Sequence, residues 1–234
     1  MKKFLSFAIV ILFLVFESSL FASETKTYDF KDFTSVEVSS GMMLTISQSN
    51  NYSVEVIADQ KVFDQLRVEK KGSTLKFYFK NNFFSFFGHR HNRIEVNIKM
   101  PLLTGLDLSG GTIGNISMDV SSKNFSAELS GGALLKGNLN CSNIRLELSG
   151  GSKVEISGKG NDLNIEGSGG STFRLKDFSV NNVNADFSGG THATIAMNGT
   201  LNADLNGGSR IIYYGNATLG STDFSGGSGV TKGK

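Results

Sequence analysis

The sequence predicts an all-β fold, a β-solenoid of stacked coils with about 19–20 residues in each coil. Three observations support this prediction. A unit of the form acid-x-Ser-Gly-Gly recurs along the chain, apolar and polar residues alternate on both sides of it, and 28 glycines accompany a single proline. Such frequent glycine among regularly spaced apolar residues indicates tight turns between strands and argues against a disordered linker.

The repeat unit occurs seven times, once with Asn in place of Ser, and an acid opens every copy. Successive acids are 18 to 21 residues apart. Self-similarity at a nearly fixed period is typical of solenoid coils, each of which buries its apolar face only against its neighbours. The seven acids are Asp107, Glu128, Glu147, Glu166, Asp186, Asp204 and Asp223.

Apolar and polar residues alternate around each repeat unit. Leu106-Asp107-Leu108 precedes the first glycine pair, and Lys153-Val154-Glu155-Ile156 follows the third. A period of two residues places one set of side chains in the core and the other set in solvent. A helix would need apolar residues three and four positions apart and would contain a glycine pair in each repeat, so the helical interpretation is rejected.

The glycine pairs are predicted to form the corners between consecutive strands. The chain must bend sharply there, and glycine reaches positive φ without a steric penalty. A small Ser, Thr or Ala follows each pair, which suits a tight and partly buried corner. The corner glycines are Gly110, Gly111, Gly131, Gly132, Gly150, Gly151, Gly169, Gly170, Gly189, Gly190, Gly207, Gly208, Gly226 and Gly227.

Stacking in this register predicts one row of carboxylates along the outside of the solenoid, about 5 Å apart. At that distance in water, neighbouring carboxylates repel by about 0.8 kcal/mol, which an exposed face tolerates without a metal. A purely structural row is therefore the first expectation. Calcium on this carboxylate row is the alternative, because calcium prefers hard oxygen ligands. No other metal or cofactor is predicted.

Residues 1–22 are predicted to be a signal peptide. Lys2 and Lys3 precede the apolar run Phe4–Phe16, and Ala22 offers a small residue for cleavage. The run is short for a membrane span, which needs about 20 residues. The chain is therefore expected to be exported to the periplasm, the outer membrane surface or the extracellular space, without a transmembrane span after cleavage.

Residues 23–234 are predicted to form a single β-solenoid domain. Residues 105–234 carry the regular repeat, whereas residues 23–104 keep the alternation without glycine pairs and are interpreted as irregular first coils. Residues 60–67 are predicted to form one or two helical turns across an end of the column. An uncovered solenoid end is an unpaired sheet edge and needs such a cover.

An aromatic and basic loop is predicted at residues 81–93, which is long for a connection between two strands. Exposed aromatic patches mark interfaces, so this loop is a candidate contact site for a glycan, an envelope lipid surface or an envelope protein. The alternative is that its phenylalanines fold back onto the solenoid. The candidate residues are Phe83, Phe84, Phe86, Phe87, His89, Arg90, His91 and Arg93.

Charge and motifs exclude several functional classes. With 23 basic and 21 acidic residues and no basic stripe, the chain does not have the composition of a nucleic-acid-binding protein. It contains no Gly-x-Ser-x-Gly elbow, no His-Glu-x-x-His and no nucleotide-binding glycine loop, so an enzyme is not expected. The only cysteine, Cys141, is predicted to be a small buried apolar residue.

The combined features resemble the head GIN domain family, whose members are named as candidate auto-transporter adhesins. The resemblance rests on the export signal, the segment Phe33–Gly41, the stretch Val62–Phe77 and the Ser-Gly-Gly series. It covers about residues 33–230. It implies a right-handed β-helical or solenoid fold in a bacterial envelope protein, and it supplies no catalytic residues that map onto this chain.

Three functions are compatible with the sequence. The first is a non-catalytic, adhesin-like binding module of the cell envelope, which binds through a solenoid face or through the aromatic loop. The second is a structural or assembly protein of the periplasm or outer surface. The third is a polysaccharide-acting β-helix enzyme, which requires several acids and a basic residue to converge in one groove. The sequence identifies neither the ligand nor the oligomeric state.

Overall fold

The structure, a computed structural model, describes residues 23–80 and 93–234. These residues form strands and a single short helix, α1 (Gln60–Gln65), and the predicted all-β solenoid is confirmed. The strands are β1 (Glu24–Tyr28), β2 (Ser35–Val38), β3 (Met43–Gln48), β4 (Ser53–Ala58), β5 (Leu66–Lys71), β6 (Thr74–Phe79), β7 (Glu95–Met100), β8 (Gly105–Leu108), β9 (Ile113–Val120), β10 (Asn124–Leu129), β11 (Leu134–Leu148), β12 (Lys153–Gly167), β13 (Thr172–Val180), β14 (Asn182–Phe187), β15 (His192–Met197), β16 (Thr200–Leu205), β17 (Arg210–Tyr214), β18 (Thr218–Phe224) and β19 (Gly229–Lys232).

The strands of successive coils pair in parallel and form two ladders around one core. Ladder 1 contains, in spatial order, β6, β2, β8, β10, the C-terminal halves of β11 and β12, β14, β16 and β18. Ladder 2 contains β7, β3, β9, the N-terminal halves of β11 and β12, β13, β15, β17 and β19. Strands β11 and β12 continue around the coil and therefore belong to both ladders.

Alternate side chains from both ladders point inwards and form one continuous hydrophobic core. In β12, Val154 belongs to ladder 2 and Leu163 to ladder 1, and both are fully buried. The rings of Phe173 and Phe187, one from each ladder, stack with their centroids 5.2 Å apart. Burying an aliphatic or aromatic side chain of this size stabilises a fold by about 1.5–3 kcal/mol, so the core holds the two ladders together.

The glycine pairs form the corners at which ladder 1 ends and ladder 2 begins. The first glycine of every pair has a positive φ, from 60° at Gly131 to 72° at Gly207. The second glycine has a positive φ in every corner except those of Gly190 and Gly208. A Cβ atom at Gly150 would lie 3.0 Å from the backbone nitrogen of Gly131 in the coil below. Glycine therefore serves both the turn and the close approach of stacked corners.

The residue after each glycine pair lies on the inner side of the corner. The Oγ of Ser152 donates a hydrogen bond to the carbonyl of Ser149 at 2.7 Å. Thr112 and Ser171 donate to the carbonyl three residues before them at the same distance, and all three hydroxyl residues are fully buried. Each bond supplies a partner for a hydroxyl that burial removes from water.

An additional corner of the same kind lies in the N-terminal part of the domain. Ser40 and Gly41 occupy the two corner positions, with φ values of 66° and 74°. Strand β2, which leads into this corner, pairs in parallel with both β6 and β8. The coil that contains residues 39–42 therefore stacks directly on the first coil that carries a glycine pair.

The remaining N-terminal elements cover one end of the solenoid. Strand β4 pairs antiparallel with β1 and β7, and β5 pairs antiparallel with β6. Helix α1 lies within the segment predicted to be helical and buries Val62 and Phe63. The Nζ of Lys26 lies 4.3 Å from the centroid of the Phe63 ring. Alternation alone does not predict this antiparallel pairing, because it specifies which residues face the core and not which strands are neighbours.

Candidate functional site

Three rows of outward side chains cover ladder 1. Side chains alternate along a strand, so the residues two positions before and two positions after each acid share its face. The acid row contains Glu37, Asp107, Glu128, Glu147, Glu166, Asp186, Asp204 and Asp223. The amide row, two positions before it, contains Ser126, Arg145, Asn164, Asn184 and Asn202. Serines and one asparagine form the third row, at the corners.

The seven acids of the repeat lie opposite one another in consecutive coils, as their spacing predicts. Glu37 of β2 extends the row by one coil, and Lys76 of β6 lies opposite Glu37 at its N-terminal end. Sequence reasoning misses Glu37 because Ser40 replaces the first glycine of the corner. The signal is nevertheless visible, since Val36-Glu37-Val38 repeats the apolar-acid-apolar pattern.

Like charges perturb the acid row where β2, β8 and β10 meet. Partial burial raises the pKa of Asp107 to about 6, and the neighbouring carboxylates of Glu37 and Glu128 act in the same direction. Lys76 acts in the opposite direction and forms an ion pair with Glu37. The charged form of Asp107 is therefore disfavoured in the folded protein.

A cation, Arg145, lies in the middle of the outward face of ladder 1. Arg145 of the amide row pairs with Glu147 and places its Nη2 atom 2.8 Å from the carboxylate of Glu166. Among residues 23–80 and 93–234, no ion pair involves the last three acids of the row. The C-terminal half of the acid row therefore carries a surplus of negative charge.

The asparagines of the amide row are bonded to one another. The Nδ2 of Asn184 donates to the Oδ1 of Asn164 at 2.9 Å, and the Nδ2 of Asn202 donates to the Oδ1 of Asn184 at 2.9 Å. The backbone nitrogen of Ser221 donates to the Oδ1 of Asn202 at 2.9 Å and ends the series. A primary amide has two N–H donors and two acceptor lone pairs, so these bonds fix each amide while leaving donor and acceptor capacity for a ligand.

The sequence contains a signal for the amide row that reasoning from the glycine pairs alone overlooks. Asn164, Asn184 and Asn202 each stand two residues before an acid of the repeat. Strict alternation then requires them to share the outward face of that acid. Their stacking in adjacent coils follows from the same period that aligns the acids.

The amide row and the acid row line an open groove of about 460 Å³ on the C-terminal coils. The groove extends from Arg145 to Asp223, and the described residues that line it include no aromatic side chain. Amide N–H groups and one guanidinium supply donors, and carboxylates and amide oxygens supply acceptors. The groove can therefore hydrogen-bond a ligand that offers many hydroxyl or amino groups.

Metal binding on this face stays a prediction. In the part of the chain that the structure describes, no group of three or more His, Cys, Asp or Glu side chains forms a metal centre. The acid row nevertheless offers carboxylates at regular spacing, and the calcium hypothesis is tested by the binding experiment given below.

Most of the predicted aromatic loop lies outside the described residues. This applies to Phe83, Phe84, Phe86, Phe87, His89, Arg90 and His91. Arg93 is exposed, and its Nε lies 2.8 Å from the carboxylate of Glu95 in β7. The loop therefore stays a predicted contact site.

His192 and Cys141 lie outside the groove. His192 is exposed at the start of β15, and its Nδ1 lies 2.7 Å from the carbonyl oxygen of Gly190. Cys141 is a buried free cysteine, as predicted, and its Sγ lies 3.4 Å from the carbonyl oxygen of Val120. Both positions are explained by the alternation of the coil.

Residues 32–217 match the family described as "Putative auto-transporter adhesin, head GIN domain". The chain belongs to the head GIN domain family. The match covers most of both ladders, including the groove up to the last coil, and confirms the resemblance seen in the sequence. No curated protein matches this chain.

Crystal structures of bacterial proteins share the fold of this head GIN domain. A putative adhesin from Bacteroides fragilis NCTC 9343 has a TM-score of 0.81 and 16% identity, covering 90% of this chain and 97% of that chain. A putative adhesin from Parabacteroides merdae ATCC 43184 has a TM-score of 0.71 and 18% identity, covering 91% and 96%. A putative lipid binding protein from Parabacteroides distasonis ATCC 8503 has a TM-score of 0.64 and 18% identity, covering 91% and 97%. At these identities the likeness establishes the fold alone.

The descriptions of the family and of these three structures name adhesins or a lipid binding protein and no enzyme. No helix within residues 23–80 and 93–234 is long and apolar enough to cross a membrane.

Proposed function

We propose that this head GIN domain protein is a non-catalytic, adhesin-like module of the bacterial cell envelope that binds glycans. The predicted signal peptide, residues 1–22, would export it to the periplasm, the outer membrane surface or the extracellular space. The observation that carries the proposal is the groove on ladder 1, where an amide and a carboxylate recur together in three successive coils. The family description as an auto-transporter adhesin supports the same role.

A glycan fits the chemistry of this groove. Neighbouring hydroxyls of a sugar both donate and accept hydrogen bonds, and the groove presents an acceptor-only carboxylate beside an amide on the same strand. Because the groove walls, as far as the described residues form them, contain no aromatic side chain, the sugar would be held through its hydroxyl edges and not by ring stacking. The surplus of carboxylates favours neutral or amino-bearing sugars over acidic ones.

The bonds within the amide row contribute to affinity by fixing the binding groups in advance. Asn184 is held on both sides by Asn164 and Asn202, so its amide does not have to be ordered when a ligand arrives. Immobilising a flexible polar side chain on binding costs about 0.5–1.5 kcal/mol, and a preformed row avoids that cost. Repetition in successive coils also suits a polymeric ligand that contacts several coils at once.

Glycan binding is tested with purified residues 23–234 on arrays of envelope and host glycans, with calcium and with a chelator. The double variant Asn184→Ala, Asn202→Ala removes two ligand-facing amides and should weaken binding by about 5- to 150-fold, since each hydrogen bond contributes about 0.5–1.5 kcal/mol. The matched control is Asn115→Ala, Asn216→Ala, which changes two asparagines outside the groove and should leave the affinity unchanged.

The proposed site is wrong if the groove variant binds the same glycan with the affinity of the original chain. The proposed ligand class is wrong if the folded protein binds no glycan in either condition. Binding that requires calcium and is lost with the chelator would support the calcium prediction for the acid row.

An envelope lipid surface is the second candidate ligand. A structurally similar protein from Parabacteroides distasonis is described as a putative lipid binding protein, and the predicted aromatic loop offers four phenylalanines beside basic residues. Co-sedimentation with vesicles of bacterial envelope lipids tests this candidate. Deletion of residues 83–91 should abolish vesicle binding while circular dichroism and the melting temperature stay unchanged. Undiminished vesicle binding by the deletion variant would exclude the loop as the contact.

A further inference from the structure

The two ladders carry opposite charge on their outward faces. The acidic face is the outside of ladder 1 from Glu128 to Asp223, where the acid row outnumbers the single inserted cation, Arg145. The basic face is the outside of ladder 2 in the same coils, and it carries Lys136, Lys153, Arg174, Lys176 and Arg210. Both sets of strands enclose one core, so the two faces point to different sides of the molecule.

The basic face keeps a positive surplus, because its five cations outnumber the two carboxylates on the ladder 2 parts of the same strands, Glu155 of β12 and the exposed Asp177 of β13. Glu155 of β12 lies 3.0 Å from Lys136, 2.5 Å from Lys153 and 2.8 Å from Arg174. Hydrogen bonds from these lysines hold the pKa of Glu155 at about 2, so the carboxylate is ionised wherever the protein is folded near neutral pH. One carboxylate therefore serves three cations, and the Arg174 side chain is still 60% exposed.

The acidic face keeps the complementary negative surplus. Asp186, Asp204 and Asp223 are exposed, and within residues 23–80 and 93–234 none of them belongs to an ion pair. The whole chain has a formal net charge of only +2. The charges are thus segregated between two faces of a nearly neutral molecule, and net repulsion between copies is small.

The two faces also share one period. Every coil contributes one strand to each ladder, so charged rows on both faces advance by the same inter-strand distance of about 4.8 Å. Two copies lying side by side with parallel axes can therefore match several charged rows in a single register. One exposed ion pair contributes little to affinity. A row of ion pairs with the same spacing on both copies acts as a multivalent contact.

We propose that this chain associates side by side with further copies of itself, the acidic face of one copy lying against the basic face of the next. The contact is heterologous, because each copy uses two different surfaces, and it continues into rings or filaments. This inference goes beyond glycan binding, although the proposed groove lies on the acidic face. Variants of the basic face therefore test association without touching the groove.

Sedimentation velocity of residues 23–234 tests the proposal at about 0.01 M and about 1 M ionic strength, where the screening length is about 30 Å and about 3 Å. The sedimentation coefficient should rise with protein concentration at low salt and should be that of a monomer at high salt. Lys31→Gln, Lys61→Gln is the control for lost positive charge, since both residues lie outside the two faces, and it should associate like the original chain.

Two neutralised variants separate the faces. Arg174→Gln, Arg210→Gln weakens the basic face, Asp186→Asn, Asp204→Asn weakens the acidic face, and each alone should sediment as a monomer at low salt. Mixed in equal amounts, they should form dimers that do not grow further, since only one intact pair of complementary faces is present. A monomeric original chain at low salt, or a mixture that stays monomeric, would overturn the proposal.

The same variants keep this inference separate from the proposed function. Arg174→Gln, Arg210→Gln leaves the groove intact, so it should lose association and bind glycan with unchanged affinity. If the original chain associates but binds no glycan, only the glycan proposal is contradicted. Absence of association, with glycan binding intact, would contradict only the self-association proposal.

Discussion

The residue that follows a glycine pair is buried between the two ladders in every corner except the last, so a hydroxyl there loses water as a hydrogen-bond partner. Ser152 and Ser171 donate to a carbonyl three residues earlier. Ala133 takes the same buried position without a polar atom. Ser209 is also fully buried, but its Oγ has no hydrogen-bond partner among the residues that the structure describes. Serine at this position is thus hydrogen-bonded in some corners and unbonded in the corner of Ser209.

Alanine at these two serines should have opposite consequences. Ser152→Ala removes the hydroxyl bond to the carbonyl of Ser149, which then accepts only from the backbone N–H of residue 152. It should lower the free energy of unfolding by about 1 kcal/mol. Ser209→Ala removes a buried hydroxyl that makes no bond and should leave the stability unchanged or raise it. Urea unfolding of both variants measures the difference. Equal losses would show that the Ser209 hydroxyl finds a partner in solution.

At the scale of elements, the junction of β2, β8 and β10 is where the N-terminal part meets the regular coils. Asp107 of β8 lies between Glu37 and Glu128, and Lys76 adds a cation from β6. These groups surround a half-buried carboxyl whose pKa is raised to about 6. The folded protein therefore binds a proton at Asp107 more tightly than the unfolded chain does.

The raised pKa predicts how stability depends on pH at this junction. Between the ordinary pKa of 3.8 and about 6, the folded state holds more protons than the unfolded state, so Asp107 lowers stability as pH rises through this window. Asp107→Asn should remove that contribution and make the protein more stable at pH 7, while the two chains converge below pH 4. Melting temperatures from pH 3 to pH 8 measure the effect.

Asp223→Asn, at the exposed far end of the acid row, is the control for loss of one carboxylate. It should not reproduce the stabilisation at pH 7, since Asp223 belongs to the last coil and is open to solvent. A destabilised Asp107→Asn at pH 7 would contradict the prediction. It would mean that the ionised carboxylate makes a favourable contact that outweighs burial and repulsion.

The sequence predicts the coils, the corners and the acid row because one local signal repeats at one period. Asp186 and Asp204 lie opposite each other in neighbouring strands because the distance between them is one coil. The repeat does not predict the coil before residue 105. Ser40 adopts a φ more typical of glycine there, so the sequence lacks the glycine pair that would mark the corner after Glu37. It also cannot predict that β2 lies between β6 and β8, since the residues between these strands in sequence do not repeat.

The candidate site was only partly predictable for a related reason. Carboxylates are conspicuous because they recur next to the glycine pairs, whereas the amide row is interrupted by Ser126 and Arg145 in earlier coils. The groove depends on which rows share a face, and this follows from the ladder register and not from any single motif. Charge segregation between the faces likewise emerges only after each strand is assigned to its ladder.

At the scale of the whole molecule, the two ends of the solenoid differ. The N-terminal end is covered by β1, β4, β5 and α1, and of these β4 and β5 pair with β7 and β6, the first strands of the two ladders. At the other end, β18 and β19 are the last strands of ladders 1 and 2, and β18 is exposed along its whole length. Leu219 and Phe224, which lie opposite buried residues of β16, are 47% and 40% exposed.

This asymmetry predicts different costs for the same substitution in adjacent coils. Leu201 and Leu219 lie opposite each other in β16 and β18, yet Leu201 is fully buried and Leu219 is 47% exposed. Leu201→Ala should lower the free energy of unfolding by about 2–5 kcal/mol through lost burial and a residual cavity. Leu219→Ala loses few contacts and should cost less than about 1 kcal/mol. Urea unfolding at high ionic strength, where side-by-side association is suppressed, measures both values for the isolated chain. A loss at Leu219 as large as that at Leu201 would contradict the open end and show that another surface covers the last coil in solution.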